Sequence, residues 1–220
     1  MSKGIKKIIK RTRHALRWRV LDAVHDRGEM EIVSDPWERT HIIYSPAHPA
    51  PGNPLRDIEY LHELAHAMLC ETVHTCMSTH YFEQGTPEHM LHTLSPIVRA
   101  ASDWYADGWL MSICPDDERS EIEEHYALVC RALTAHGFAA IHDEWRWGAA
   151  LIIAQAVKWC GRRNIGRGAL AETVNVLLAI DPMRPSRQGM ERLINDLLSC
   201  SSMSMRIAID DADGTIEVAQ

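Results

Sequence analysis

Apolar positions in this chain recur mostly at helical spacing, and only a few short stretches alternate as strands do. Helical patterns are predicted at 4–25, from Pro54 through 69, from Pro87 to about 115, and at 116–135, 139–161, 168–179 and 185–199. Residues 29–33 and 40–44 favour short strands on either side of a turn, and 207–218 predicts a hairpin around Asp213-Gly214. The pattern predicts a predominantly α-helical α+β fold, with a small antiparallel sheet and a helical C-terminal half.

These elements divide the 220 residues into three regions. Residues 1–25 are predicted to form a basic helix, and 26–115 a core that contains the sheet and two long helices. Residues 116–220 are predicted to be a helical region that ends in the hairpin and belongs to the same domain as the core. The length suits one sizeable domain. Pro96 is expected to kink or restart the helix that begins near Pro87.

One pentapeptide in the second helix, His62-Glu63-Leu64-Ala65-His66, has the spacing of a metal site. Two histidines four positions apart project from one helical face, so both imidazoles can reach one metal ion. Glu63 then stands where a general base of metal-dependent hydrolysis is needed. The preceding Asn53-Pro54 is typical of an N-cap followed by the first helical residue. The alternative interpretation is a helix with two incidental histidines.

A catalytic zinc site usually has three protein ligands, so a third is required. A histidine six positions after His66 would be the metzincin ligand, but that position is Thr72. Asp103 and Asp107 lie four positions apart and share a face of a later helix. One of them can bind the metal while the other accepts a hydrogen bond from the second nitrogen of a ligand histidine. The alternative for this pair is a solvated helix face.

The motif at 62–66, followed by an acidic residue, Ala106-Asp107, an aromatic residue and finally Pro115, resembles the ImmA/IrrE-type zinc metallopeptidases, which are gluzincin-like proteins. The resemblance covers about residues 40 to 115. It implies that His62, His66 and Asp103 bind Zn²⁺, that Asp107 orients a ligand, and that Glu63 is catalytic. Asp103 stands where the family has a glutamate, and Trp109 replaces a phenylalanine. The resemblance also implies an edge strand that pairs with an extended substrate. It further implies that the substrates are one or few proteins, such as a transcriptional repressor.

Several other side chains are candidates for a metal ligand or for a stabiliser of an oxyanion. Glu71 is expected to point away from the ion, and His74, two turns after His66, is expected to lie too far along the helix to reach it. The remaining candidates for a ligand are His80, Glu83, Glu88, His89 and His92, and the candidates for oxyanion stabilisation are Tyr44, His80 and Tyr105. Trp145, Trp147 and Trp159 are expected to be core aromatics.

Charge is distributed unevenly along the chain. Residues 1–19 contain eight Lys or Arg and no acidic residue, whereas the whole chain has a net charge of −7. This segment is either an arm for nucleic acid or another acidic partner, or an amphipathic helix that packs on the acidic body, and the second interpretation is favoured. No apolar run is long enough to span a membrane, and the basic start has no apolar segment typical of a secretory signal. The six scattered cysteines favour reduced thiols in a cytoplasmic protein.

The sequence therefore predicts a zinc-dependent metallopeptidase that hydrolyses a peptide bond in a protein or peptide substrate. One alternative is a non-catalytic module that binds metal, nucleic acid or protein on a protease-like scaffold. Another is a metallohydrolase that acts on a non-peptide amide, because the chemistry at zinc is the same. The oligomeric state is left open.

Overall fold

The computed structural model describes residues 3–48, 57–137, 143–201 and 204–219. They form the helices α1 (Lys3–Ala15), α2 (Asp57–Thr72), α3 (Glu88–Ile113), α4 (Pro115–His136), α5 (Asp143–Cys160), α6 (Ala169–Ala179) and α7 (Arg187–Ser199). The strands are β1 (Arg19–His25), β2 (Glu31–Asp35), β3 (Thr40–Pro46), β4 (Arg206–Ile209) and β5 (Ile216–Ala219). The prediction of a helix-dominated α+β fold is confirmed. The expected N-cap at Asn53-Pro54 lies outside the described residues.

The helix predicted at 4–25 is wrong beyond Ala15. The backbone N–H groups of Arg17 and Trp18 donate to the Glu71 carboxylate at 2.8–3.0 Å, and the chain then enters β1. The strand order of this sheet is β1-β3-β2, with β2 antiparallel and β1 parallel to β3. The sheet beside α2 is therefore mixed rather than antiparallel, because residues predicted as helix supply a parallel strand.

Helix α1 is amphipathic and packs on α2. Ile5 is buried and Ile8 and Ile9 are half-buried against the core, while most of the basic side chains of α1 are exposed. This confirms the favoured interpretation of a packed amphipathic helix with solvated charges. Leu21, which was expected to pack on the body as part of the helix, is exposed on β1.

Helix α3 forms the centre of the molecule and contacts α2, α4, α5 and α7. Pro96 does not interrupt it, so the expected restart before Asp103 does not occur. Trp104 is fully buried, and its Nε1 donates to the Ile180 carbonyl at 3.2 Å. At Gly108 an added Cβ would lie 2.6 Å from the Pro182 carbonyl oxygen. These two contacts fix the position of α3, and with it the side chains that α3 presents to α2.

The predicted C-terminal helices and hairpin are all present. The β4–β5 hairpin is antiparallel, and Ile216 exchanges backbone hydrogen bonds with Tyr81 and Glu83, which joins it to the segment between α2 and α3. Trp147 is buried and Trp159 stacks on Trp104, as expected of core aromatics.

Three further findings bear on the sequence predictions. Trp145, at 68 % exposed, contradicts the expectation of a core aromatic. All six cysteines are free thiols. Among the described residues, no helix combines the length and apolarity that crossing a membrane requires.

Candidate metal centre

The three predicted ligands meet between α2 and α3. The Nε2 atoms of His62 and His66 lie 3.1 Å apart, as expected for histidines one turn apart on α2. Oδ1 of Asp103, which comes from α3, lies 3.2 Å from Nε2 of His66 and 3.6 Å from Nε2 of His62. The sequence prediction therefore placed these three side chains together correctly, and the shorter Asp103 side chain reaches both imidazoles.

The distances between the two Nε2 atoms and Oδ1 of Asp103 fit a metal ion with tetrahedral coordination. Zinc binds nitrogen and oxygen ligands at roughly 2.0–2.2 Å, which puts two tetrahedral ligand atoms about 3.3–3.5 Å apart. The three observed separations of 3.1–3.6 Å span that value. Three ligands also leave a coordination position for a reacting group. The described residues therefore form a group that could hold a metal ion, although its geometry does not identify the metal.

The second nitrogen of each histidine has a protein partner. Nδ1 of His62 lies 2.9 Å from Oδ1 of Asp107, and Nδ1 of His66 lies 2.9 Å from the Met77 carbonyl oxygen. Both partners accept hydrogen bonds, so each Nδ1 carries the proton, and in the neutral imidazole the lone pair is on Nε2. Asp107 therefore lies beside His62, one of the two histidines predicted as ligands. Its Oδ2 accepts a hydrogen bond from Gln155 of α5.

The charges around the site favour a cation. Burial disfavours the charged form of His62, but the carboxylates of Asp107 and Asp103 outweigh it and raise the pKa of His62 well above its ordinary value. Burial alone would raise the pKa of Asp103, but hydrogen bonds from His62 and His66 hold it far below its ordinary range. The cluster therefore attracts positive charge, either as a proton on an imidazole or as a metal ion.

Glu63 faces the same cavity as His62 and Asp103, which has a volume of about 350 Å³. Its side chain is largely buried, and burial raises the pKa of Glu63 above that of an ordinary glutamate, although His62 and His66 oppose the shift. A carboxylate with a raised pKa is a stronger proton acceptor, which is what a general base requires.

Most of the other candidate residues lie away from this centre. Glu71 is bonded to Arg17, Trp18 and His41, so it points elsewhere, as expected. His74 contacts the Asp211 carbonyl and does not belong to the ligand group found among the described residues. The exposed candidates on the α2–α3 connection and the first turns of α3 are Glu83, Glu88, His89 and His92. None of them belongs to the ligand group found among the described residues.

Of the three oxyanion candidates, the structure places His80 near the ligands. The charges of His66 and Asp103 both shift the pKa of His80, in opposite directions. Nε2 of His80 is buried and has no hydrogen-bond partner among the described residues. Burial lowers the pKa of His80 to about 4, so the ring is neutral at neutral pH. Tyr105 instead faces Gly189 of α7, and Tyr44 packs edge-on against His25.

Four groups at the site were not identified from the sequence. The Met77 carbonyl has no residue-type signature, because every residue has a carbonyl group. Gln155 does carry a weak signal, since it is an isolated amide in the apolar run 149–157. Arg99, one turn before Asp103, lies 3.9 Å from its carboxylate, and Glu118 lines the far end of the cavity. Arg99 stands four positions before Asp103, so helical spacing could have indicated it, whereas the charged residues of α4 gave no such signal.

Comparison of the chain with protein-family models, with curated proteins and with solved structures gave no match. The resemblance to ImmA/IrrE-type metallopeptidases therefore stays a prediction that depends on the motif residues.

Proposed function

We propose that this protein is a zinc-dependent metallopeptidase that hydrolyses a peptide bond in a protein or peptide substrate. One observation carries the proposal: the Nε2 atoms of His62 and His66 and Oδ1 of Asp103 lie 3.1–3.6 Å apart, and each Nδ1 is held by an acceptor. This is the donor set of a catalytic zinc site, with neutral imidazoles, one carboxylate and an open position. The presence of six free cysteines agrees with a cytoplasmic location, which is part of the proposal.

Zinc, when bound, would supply Lewis-acid polarisation of the scissile carbonyl group. Glu63 would accept a proton from the attacking water and return it to the amine nitrogen as the peptide bond breaks. His80, which is neutral and has an unpartnered Nε2, would donate a hydrogen bond to the oxygen on which charge develops. Asp107 would hold the His62 ring in the tautomer that keeps Nε2 free for the ion.

The edge of β2 offers a place for an extended substrate. On this edge the N–H of Ser34 donates to Thr79 and its carbonyl accepts from Tyr81. Every second residue of a strand directs its backbone N–H and carbonyl to the same edge, so those of Ile32 face the same edge as those of Ser34. Met30, directly before β2, lines the cavity. A substrate strand paired there would lead past the metal ligands. Backbone pairing of this kind is tolerant of sequence.

The test combines metal content with cleavage. Purified protein is dialysed, loaded with Zn²⁺, analysed for zinc per chain, and incubated with a mixture of random octapeptides whose products are identified by mass spectrometry. We expect one zinc per chain and new peptide termini. Glu63→Gln should keep the zinc but lower the cleavage rate by ~10²–10⁴-fold, which is the usual contribution of a general base.

Glu59→Gln is the matched control, because Glu59 lies one turn before Glu63 on α2 and lines the same cavity. It removes an equal charge and should leave cleavage within a few-fold of the wild type. Cleavage that persists in Glu63→Gln, or a zinc-loaded protein that cuts no peptide, would contradict the proposal.

A further inference from the structure

The cavity at the metal centre extends beyond it, into a space between α4 and α5. We call this the α4–α5 recess. Its walls are Glu118, Glu121, Ile122 and His125 of α4, Leu151 and Gln155 of α5, and Leu110 of α3. Seven of the residues that line the whole cavity are Asp or Glu, against a single arginine, Arg99. That arginine forms ion pairs with Glu29 and Asp103, outside the recess. Two of the acidic residues, Glu118 and Glu121, line the recess itself, together with the apolar side chains of Leu110, Ile122 and Leu151.

Glu118 lacks a partner in this pocket. Only 3 % of the surface of Glu118 is exposed, and the residue lines the cavity. Among the residues that the structure describes, none forms a hydrogen bond or an ion pair with its carboxyl group. Burial, reinforced by the charge of Asp107, raises the pKa of Glu118 to about 9. In this pocket Glu118 is therefore protonated at neutral pH, and a cation that enters would favour its ionised form.

The neighbouring polar groups do not supply this cation. Both oxygens of Asp107 are occupied, one by His62 and the other by Gln155. Glu121 lies 3.3 Å from Nε2 of His125. A cation that enters the recess would therefore find Glu118 as its natural counter-ion, with Glu121 beside it.

The shape of the recess favours an organic cation over a second metal ion. Among the described residues, the group of His, Cys, Asp and Glu atoms that converges as metal ligands is His62, His66 and Asp103, and no atom of the recess belongs to it. Leu110, Ile122 and Leu151 instead form apolar walls that suit a chain of methylene groups. Lysine and arginine side chains have this form, with an apolar stem and a cationic head.

We propose that the α4–α5 recess binds a positively charged group of the substrate next to the scissile bond, with Glu118 as its counter-ion. This rests on the proposed peptidase function and names its substrate class: peptides with a lysine or arginine beside the cleavage site. A free N-terminal ammonium group has the same chemistry and would fit the same pocket. The two sources are separated by the substrates used in the test.

The first experiment measures binding without catalysis. n-Butylguanidinium is titrated into the zinc-loaded protein, with 1-butanol as its uncharged counterpart, and binding is followed by calorimetry. We expect saturable binding of the cation in the wild type and at least ~10-fold weaker binding in Glu118→Gln, which corresponds to the loss of about 1.4 kcal/mol. Glu121→Gln should weaken binding less. Glu124→Gln, on the same helix but exposed and outside the cavity lining, is the matched control and should bind like the wild type.

The second experiment uses the random octapeptide mixture, with free or acetylated N-termini. Enrichment of Lys and Arg at one fixed position from the cut, reduced in Glu118→Gln, supports a side-chain cation. Cleavage that requires a free N-terminus supports a terminal ammonium. Cleavage with no preference for either, together with no binding of butylguanidinium, overturns the recess and leaves the peptidase standing. Butylguanidinium binding that is lost in Glu118→Gln, without any peptide cleavage, supports the recess and contradicts the peptidase.

Discussion

Helix α2 contributes side chains to two histidine–carboxylate clusters, and only one of them has the character of a metal site. Near its C-terminal end, His41 and Glu71 form a buried pair in which Nε2 donates to the carboxylate at 3.2 Å and Nδ1 lies 2.7 Å from the Ser34 hydroxyl. Trp18 stacks on the His41 ring with centroids 4.9 Å apart. Near the middle of the helix, His62 and His66 face Asp103 of α3. The His41–Glu71 pair is buried and the His62–His66–Asp103 cluster is partly buried, and both pair imidazole with carboxylate.

The difference lies in where the ring nitrogens point. In the His41–Glu71 cluster each nitrogen faces a different protein group, and the remaining lone pairs of Glu71 are taken by backbone N–H groups of Arg17 and Trp18. Burial lowers the pKa of His41, with Glu71 opposing the shift only in part, so the protein itself satisfies a neutral ring. In the His62–His66–Asp103 cluster three acceptor atoms face one another. A cation between them would stabilise this arrangement, so convergence of lone pairs, rather than histidine content, distinguishes the two clusters.

Removal of a ligand should give the largest contrast between the clusters. A four-ligand structural zinc site contributes ~10–16 kcal/mol, so one lost ligand corresponds to about 3 kcal/mol, or ~10²-fold in affinity or more. We expect His66→Ala to weaken zinc binding by at least that factor, measured by competition with a chromogenic chelator. His41→Ala is the matched control, and should bind zinc normally while unfolding at lower urea. Equal zinc affinity in His66→Ala and the wild type would show that the two clusters do not differ as described.

Asp107→Asn tests the partner of a ligand rather than a ligand. Loss of a carboxylate that orients a ligand histidine typically costs 10–100-fold in metal affinity. We expect a loss in that range from the same chelator competition, with zinc still bound at saturation. Asp116→Asn, an exposed carboxylate in the first turn of α4, provides a control that should change nothing. A full loss of binding would instead make Asp107 a ligand.

Glu71→Gln should affect stability and leave zinc binding unchanged. The amide cannot accept all the hydrogen bonds that Glu71 receives from Arg17, Trp18 and His41. Leaving such buried donors unpaired costs about 1–3 kcal/mol. We expect a decrease of that size in the free energy of unfolding of the metal-free protein, measured with urea. If zinc affinity fell as well, the two clusters on α2 would be coupled rather than independent.

The last contrast is between Glu71 and Glu118, its unpartnered counterpart. The pKa of Glu118, about 9 in the folded protein, lies above the ordinary value of about 4.3 expected in the unfolded chain. Its contribution to stability is therefore fully present below pH ~4.3 and is lost as pH rises towards 9. Metal-free wild type should lose stability relative to Glu118→Gln between pH 5 and pH 9, as measured by urea unfolding at each pH. Parallel stability profiles for the two proteins would argue against a raised pKa.

The helices with periodic apolar faces could be predicted from the sequence nearly residue by residue, because their hydrogen bonds are local. The first predicted helix failed beyond Ala15 because Glu71, more than fifty residues away, binds the backbone of Arg17 and Trp18. The apolar residues that follow fit a strand as well as a helix, and pairing with β3 decides between the two. The exposure of Trp145 could not be predicted for a similar reason, because residue type alone does not indicate which face of α5 is covered.

The sequence by itself determined the motif at 62–66 and the pair Asp103 and Asp107, because helical periodicity alone places residues four positions apart on one face. Only the tertiary structure decided that Asp103 reaches both imidazoles, and that Met77 and Asp107 hold their second nitrogens. It also decided that Glu118 and Gln155 share the cavity with them. These relations join α2 to α3, α4 and α5, and they depend on how helices pack, which no local spacing in the chain encodes.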